Sequence, residues 1–214
     1  MKNTVVVSGS EGLIGKEICK YLEEYDYNIL RSDKILSPFI DISCNLTVDS
    51  IFKMYNIVGL VNCAYPKDFY NHCTFFMKST ELFAFYFRMN KKYGSIINFS
   101  SIYGLIGTDE SIYKDTEISS TPTWYSAAKG AIIAYSRHIA TLYAKDDIRV
   151  NCIAAGGVYN NHSKKFIDNY SKKVPMNRMA YSKDMCGIVE FLISSRSSYI
   201  TGQCFPVDGG LTIC

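Results

Sequence analysis

Short β-branched runs alternate with longer helical patterns along most of this chain, and that alternation restricts the fold more than any single motif. The runs fall at residues 4–7, 28–31, 39–42, 57–62, 95–100, 149–153 and 203–207. Helical patterns lie between them near 13–24, 48–54, 75–91, 125–144 and 183–194. Strands joined by helical crossovers pair in parallel, because a parallel neighbour needs a long return connection. The expected fold is α/β: three layers, with a doubly wound parallel β-sheet covered by helices on both faces. With 214 residues and no Pro/Gly linker or internal repeat, one domain over 1–214 is expected.

Composition narrows the function classes. The formal net charge is +3, with no long basic run and no interleaving of aromatics with Lys or Arg, so nucleic acid is not an implied partner. No apolar stretch approaches the ~18 residues of a membrane span, and the opening Val5-Val6-Val7 run is too short for a signal sequence. The eight cysteines are scattered without a C-x-x-C pair, which reads as buried thiols of a reducing cytoplasm. His72, His138 and His162 have no metal-ligand spacing; they read as surface or packing residues, and no metal is expected.

Two segments carry the chemistry. Ser8-Gly9-Ser10-Glu11-Gly12-Leu13-Ile14-Gly15 follows the first strand and opens the first helix, so backbone N–H groups there can meet a pyrophosphate. Asp33 ends the second strand, where a carboxylate can accept hydrogen bonds from an adenosine ribose. Glu11 lies near the same edge. Two carboxylates there repel a 2′-phosphate and favour NAD over NADP, although Arg31 and Lys34 flank Asp33 and leave NADP open. Further along, Tyr125 and Lys129 stand four residues apart on a helical pattern, so the phenol and the ammonium share one face. A fixed cation beside a phenol lowers its pKa toward the range useful for acid/base work. With 17 tyrosines in the chain the spacing itself arises by chance about once, so its weight comes from the glycine turn and the strand end Ser100-Ser101 in the required order.

In these elements the chain resembles the short-chain dehydrogenase/reductase family, over essentially its whole length. Ser8 to Gly15 is similar to the family's T-G-x-x-G-x-x-G turn, Asp41-Ile42 to its adenine-contacting dipeptide, and Asn62-Cys63-Ala64 to its N-N-A-G element. Gly94 to Ser101 resembles the strand that delivers the catalytic serine. Residues 148–158, with Gly156 and Val158, resemble the nicotinamide-side loop, and Val207-Asp208-Gly209-Gly210 the C-terminal signature. Ala64-Tyr65-Pro66 and Ser100-Ser101-Ile102-Tyr103-Gly104 resemble the branch associated with flagellin modification and nonulosonic sugars. The resemblance implies a Rossmann fold and an NAD(P)-dependent oxidoreductase of alcohols and ketones, acting on a sugar or sugar derivative, as a cytoplasmic homodimer or homotetramer. A 3-oxoacyl thioester reductase and a non-catalytic dinucleotide-binding or scaffolding protein are the alternatives.

Carried over by position, Tyr125 is the acid/base, Lys129 lowers its pKa and holds the nicotinamide ribose, and Ser101 orients the substrate oxygen. Asn71 is the candidate for the family's fourth, proton-relaying member; as a helix cap it has an equally ordinary role. Two departures stand out: the stretch from Ala64 to Asn71 is shorter than the family pattern, and Ala155 replaces the usual proline before Gly156. The long irregular stretches 102–123 and 158–182 are expected to act as lids. The aromatic series Phe75, Phe76, Phe83, Phe85, Tyr86 and Phe87 is expected in the core and at a subunit interface. Lys164, Lys165, Lys172 and Lys173 are read as solvated loop charge or as attractors of an acidic substrate.

Overall fold

Apolar side chains alternate across each central strand, so the sheet has two faces that both need cover. Val5 and Val7 enter one core with Val61, Ile97, Phe99 and Ile153; Val6 enters the other with Leu60, Ile96 and Val150. The computed structural model describes residues 1–36 and 40–214. Among these, β1 (Asn3–Ser8), β2 (Asn28–Ser32), β3 (Asn56–Asn62), β4 (Gly94–Ser101), β5 (Ile148–Ala155) and β6 (Cys204–Val207) form one parallel sheet in the order β2-β1-β3-β4-β5-β6. Helices α1 (Leu13–Glu24) and α6 (Cys186–Ile193) cover the first core. The second is covered by α2 (Asn45–Met54), α3 (Phe69–Met89) and α4 (Thr123–Tyr143). The three-layer doubly wound fold is as expected.

Three local expectations change. No strand occupies 40–42: Asp41 Oδ1 accepts from the backbone N–H of Ser43 at 3.0 Å and its hydroxyl at 2.7 Å, a side-chain turn that leads the chain into α2 instead. Phe39, the first residue of that expected run, lies outside the described residues. Helix α3 starts at Phe69 rather than near 75, because Asp68 caps it by accepting from Asn71 N at 2.9 Å. Within the expected irregular stretch 158–182 there is a further helix, α5 (Lys164–Ser171), capped by the Ser163 hydroxyl and burying Phe166 and Tyr170. No helix among the described residues is long and apolar enough to cross a membrane. Cys19, Cys73, Cys152 and Cys186 are buried free thiols; Cys44, Cys63 and Cys204 are half-buried and Cys214 is exposed.

A buried polar network joins the sheet to its helices. Asn62 Nδ2 donates to Asn98 Oδ1 at 2.8 Å, and Asn98 Nδ2 donates to the Ser136 hydroxyl on α4 at 2.8 Å. The Thr80 hydroxyl on α3 donates to Asn98 Oδ1 at 3.1 Å, and the Ser8 hydroxyl on β1 donates to Asn62 Oδ1 at 3.1 Å. These groups are buried, so deleting Asn98 strands several partners away from water. Asn98→Ala is expected to lower the unfolding free energy by about 2–4 kcal/mol in urea titration; a loss below about 0.5 kcal/mol would show that the network does not tie β4 to α3 and α4.

Candidate active site

In a parallel sheet every strand ends at the same edge, and here the chain reverses direction of travel between β1 and β3, opening a crevice beyond their carboxyl ends. Pairing of Ser8 with Asn62, and of Ser101 with Ala155, brings the glycine turn, the Asn62-Cys63-Ala64 segment, Ser101 and Gly156 to that edge. Two adjoining cavities occupy the crevice. A larger one of about 600 Å³ is lined by Gly9, Gly12, Asp33, Asp41 and Ala64, and another of about 460 Å³ by Ser101, Tyr125, Lys129, Gly156 and Val158. Gly9, Gly12, Cys63, Ala64 and Tyr65 line both.

The turn between β1 and α1 is built for close approach. Gly9 has φ of +65°, and a Cβ on Gly15 would lie 2.1 Å from the Gly9 carbonyl oxygen, so neither tolerates a side chain. Helix α1 begins without a side-chain cap and without an acidic residue in its first turn, which leaves its N-terminal N–H groups available to an anion. Beside them the Ser10 hydroxyl is buried and has no hydrogen-bond partner. An orphaned donor next to an uncapped helix start fits the pyrophosphate of a dinucleotide. Asp33 Oδ2 accepts from Glu11 N at 3.1 Å and lines the larger cavity. Glu11 itself is paired with Arg31 and Lys16, each at 3.7 Å, and lines neither cavity. Arg31 is held by Glu23 at 2.9 Å as well, whereas Lys34 does line the cavity beside Asp33. Leu13 and Ile14 line the smaller cavity. Asp41 lines the larger one, but Ile42 is fully buried in the core and Asn62 serves the polar network instead.

Helix α4 delivers Tyr125 and Lys129, and Gly104 sets how close that helix comes. A Cβ on Gly104 would meet the Lys129 carbonyl at 2.9 Å, so only glycine lets the turn after Ser101 touch the α4 backbone. The Ser100 hydroxyl donates to the Lys129 carbonyl at 2.8 Å and fastens the same contact. The Ser101 hydroxyl accepts from Tyr103 N at 3.2 Å and interacts with the Tyr125 phenol. Lys129 is 4% exposed, its Nζ donating to the Phe99 carbonyl at 3.1 Å. That ammonium lies 5.6 Å from the centre of the Tyr125 ring and 5.4 Å from that of Phe76.

Burial dominates the electrostatics of this pair. It pushes Tyr125 up to about 12, with the Ser101 hydroxyl pulling back, while Lys129 is brought down to about 8, again by burial. Burial therefore outweighs the lowering of Tyr125 expected from Lys129.

Asn71 does not join this group. Its amide donates to Asp68 Oδ2 at 2.8 Å within the first turn of α3, and it lines the larger, adenosine-side cavity. The shortened connection to α3 starts that helix early, and this fixes Asn71 to Asp68. His72, next in sequence, is fully buried, with Nδ1 at 3.2 Å from the Pro66 carbonyl and Nε2 unpartnered; burial and the charge of Lys129 bring it down to about 4. Among the aromatics of α3, Phe76, Phe83 and Phe87 are core, while Phe85 is 38% exposed.

The two irregular stretches form one roof. Ile112 packs with Phe166, Tyr170, Val174 and Met179; Asn169 Nδ2 donates to the Ile112 and Lys114 carbonyls at 3.1 and 2.9 Å; Lys173 pairs with Asp109 at 2.9 Å. This places Tyr113, His162, Phe166 and Tyr170 on the smaller cavity, none of which was expected there. For Phe166 and Tyr170 the signal existed: Ser163 followed by apolar residues at helical spacing. None of Lys164, Lys165, Lys172 or Lys173 lines it.

Residues 72–212 match the family model described as enoyl-(acyl carrier protein) reductase. Post-translational flagellin modification protein A of Campylobacter coli is 30% identical over an alignment 254 positions long, gaps included, which covers 98% of this chain and 98% of that protein. A short-chain dehydrogenase of Leptospira borgpetersenii, crystallised with bound NAD+, superposes with a TM-score of 0.83 at 30% identity, over 99% of this chain and 93% of its own. The 3-oxoacyl-[acyl-carrier-protein] reductase FabG of Chlamydia trachomatis serovar D is 39% identical over 122 residues, which is 55% of this chain and 45% of that enzyme.

The burial of Lys129 makes a prediction. Its folded pKa lies below the unfolded value of 10.5, so between about 8 and 10.5 the unfolded chain holds a proton that the folded one lacks. The cost of burying the charge is thus full below pH 8 and fades as pH rises toward 10.5. Lys129→Met is expected to stabilise the ligand-free protein by about 1–2 kcal/mol at pH 7, after the lost Phe99 bond is allowed for, and by less at pH 10. Thermal denaturation at both pH values checks this; destabilisation at pH 7 would contradict it.

Proposed function

Because the chain belongs to the short-chain dehydrogenase/reductase family, we propose that it is an NAD(P)-dependent oxidoreductase that interconverts a secondary alcohol and a ketone on a sugar or sugar derivative. The observation that carries this reading is the meeting of Ser101, Tyr125 and Lys129 on one cavity that shares the glycine turn with a second, so that one dinucleotide could lie along both. A nicotinamide dinucleotide, when bound, supplies or accepts the hydride. The glycine turn with Ser10, Asp33 and Asp41, and Gly156 with Val158, would hold it, and Lys129 has two N–H donors beyond its Phe99 bond for a ribose hydroxyl. Asp33 on the adenosine side favours NAD, since its carboxylate would repel a 2′-phosphate.

The chain's own chemistry is positioning and proton transfer. Tyr125 gives its proton to the oxygen of a ketone, or takes one from an alcohol in the reverse direction. Ser101 holds that oxygen by a hydrogen bond and stabilises the charge that develops on it. The roof made by residues 102–123 and 158–182 keeps water from the reacting atoms.

Support for a sugar comes from likeness over nearly the whole length to a protein named for flagellin modification. The 3-oxoacyl reductase reading has higher identity behind it but over less than half of that enzyme, so it ranks second. A homodimer or homotetramer in the cytoplasm completes the proposal, with exposed Phe85, Met89 and Leu142 on α3 and α4 as apolar surface for association.

Purified protein is expected to bind NADH more tightly than NADPH in fluorescence titration and to oxidise it in the presence of a carbonyl substrate. Tyr125→Phe is expected to lower turnover by about a hundredfold or more while NADH affinity stays within about twofold. Unchanged turnover would remove Tyr125 from the mechanism; dinucleotide binding with no turnover on any carbonyl would favour a non-catalytic role.

A further inference from the structure

The smaller cavity differs from the rest of the surface in what it lacks: among the described residues no carboxylate or arginine lines it, its basic side chains are Lys129 and His162, and the Lys129 amine is already bonded to the Phe99 carbonyl. What it has is phenols. Tyr65, Tyr103, Tyr113, Tyr125 and Tyr170 all line it, with Thr121 at its edge. Tyr65 packs edge-on to Tyr125 with ring centres 6.0 Å apart, and the phenols of Tyr65 and Tyr113 are near enough to disfavour ionisation of Tyr125. The hydroxyls of Tyr103 and Tyr113 lie 3.2 Å apart, a pair in which one hydrogen is spent on the partner and the other remains for a ligand. The Tyr170 hydroxyl accepts from Gly157 N and still has its own hydrogen to donate.

Resting on the oxidoreductase reading above, we infer that the part of the substrate entering this cavity is an uncharged, polyhydroxylated ring, a neutral sugar unit rather than an acidic sugar or an acyl chain. Phenol faces pack against the C–H faces of such a ring while their hydroxyls exchange hydrogen bonds with its rim. A carboxylate or phosphate inside the cavity would lose its hydration with no arginine or uncommitted lysine to pair with it and only the His162 imidazole as a basic neighbour, a cost of several kcal/mol. A plain acyl chain would leave the one free hydrogen of the Tyr103–Tyr113 pair without a partner, and a site built to hydrogen-bond hydroxyl groups rejects analogues that lack them. The cationic lysines of the roof stand outside, Lys173 paired to Asp109, so any charged group on the substrate belongs beyond the cavity mouth. Tyr113 is the specificity-determining residue this assigns, since its ring is fixed against Phe166 at 5.7 Å and its hydroxyl is free of backbone duties.

The test is binding to the full chain loaded with NAD+, read by saturation-transfer NMR with D-glucose, N-acetyl-D-glucosamine, D-glucuronate, D-glucose 6-phosphate and an acetoacetyl thioester as probes. At least one neutral sugar is expected to bind about tenfold or more tightly than its charged counterpart, and Tyr113→Phe to weaken it by about tenfold, the loss of one hydrogen bond, with NAD+ affinity unchanged. Equal or tighter binding of glucuronate or the phosphate overturns the inference. So does binding of the thioester alone, or of no neutral sugar up to about 50 mM. A separate failure, no binding of NAD+ or NADH at all, would instead remove the oxidoreductase reading beneath it.

Discussion

An ammonium group held out of water at the junction of β4 and α4 sets the terms for everything around it. Lys129 is charged at neutral pH yet 4% exposed, so the chain must give it a carbonyl, aromatic faces and a fixed approach of helix to strand. Gly104 and the Ser100 hydroxyl supply that approach. Because Tyr125 lies one turn away on the same helix, the contact that places the amine also places the phenol beside Ser101. Stability is given up at this point, and the polar network through Asn62 and Asn98 restores rigidity one layer deeper.

The chemistry follows from that arrangement, with one change from the simplest expectation. In the ligand-free site burial acts on both groups and raises the phenol while lowering the amine. Under the proposed function, a dinucleotide that engages the remaining N–H donors of Lys129 and brings its own charge would alter this balance.

The alternation of runs and helical patterns made the layers legible, since each central strand places apolar side chains on both faces of the sheet and both had to be covered. Ser101, Tyr125 and Lys129 were legible because strand end and helix spacing are local. What escaped was set by side-chain turns and by contacts distant in sequence. Asp41 and Asp68 each redirect the backbone through one carboxylate, which removed the expected strand at 40–42 and drew Asn71 into the first turn of α3. The roof could not be read from periodicity, because Ile112 and Phe166 acquire their partners only when two stretches more than fifty residues apart close on each other. The tyrosines on the cavity were hidden for the same reason, scattered over five segments that only the fold assembles.

The most direct measurement is the pH titration of the Tyr125 phenol, followed by the 13Cζ resonance of labelled tyrosine and assigned with Tyr125→Phe. In the ligand-free protein the account predicts a midpoint near 12, well above the ordinary value of 10, and a lower one with NAD+ bound. A ligand-free midpoint at or below 10 would contradict it, because Lys129 would then already be acting on the phenol without help from any ligand.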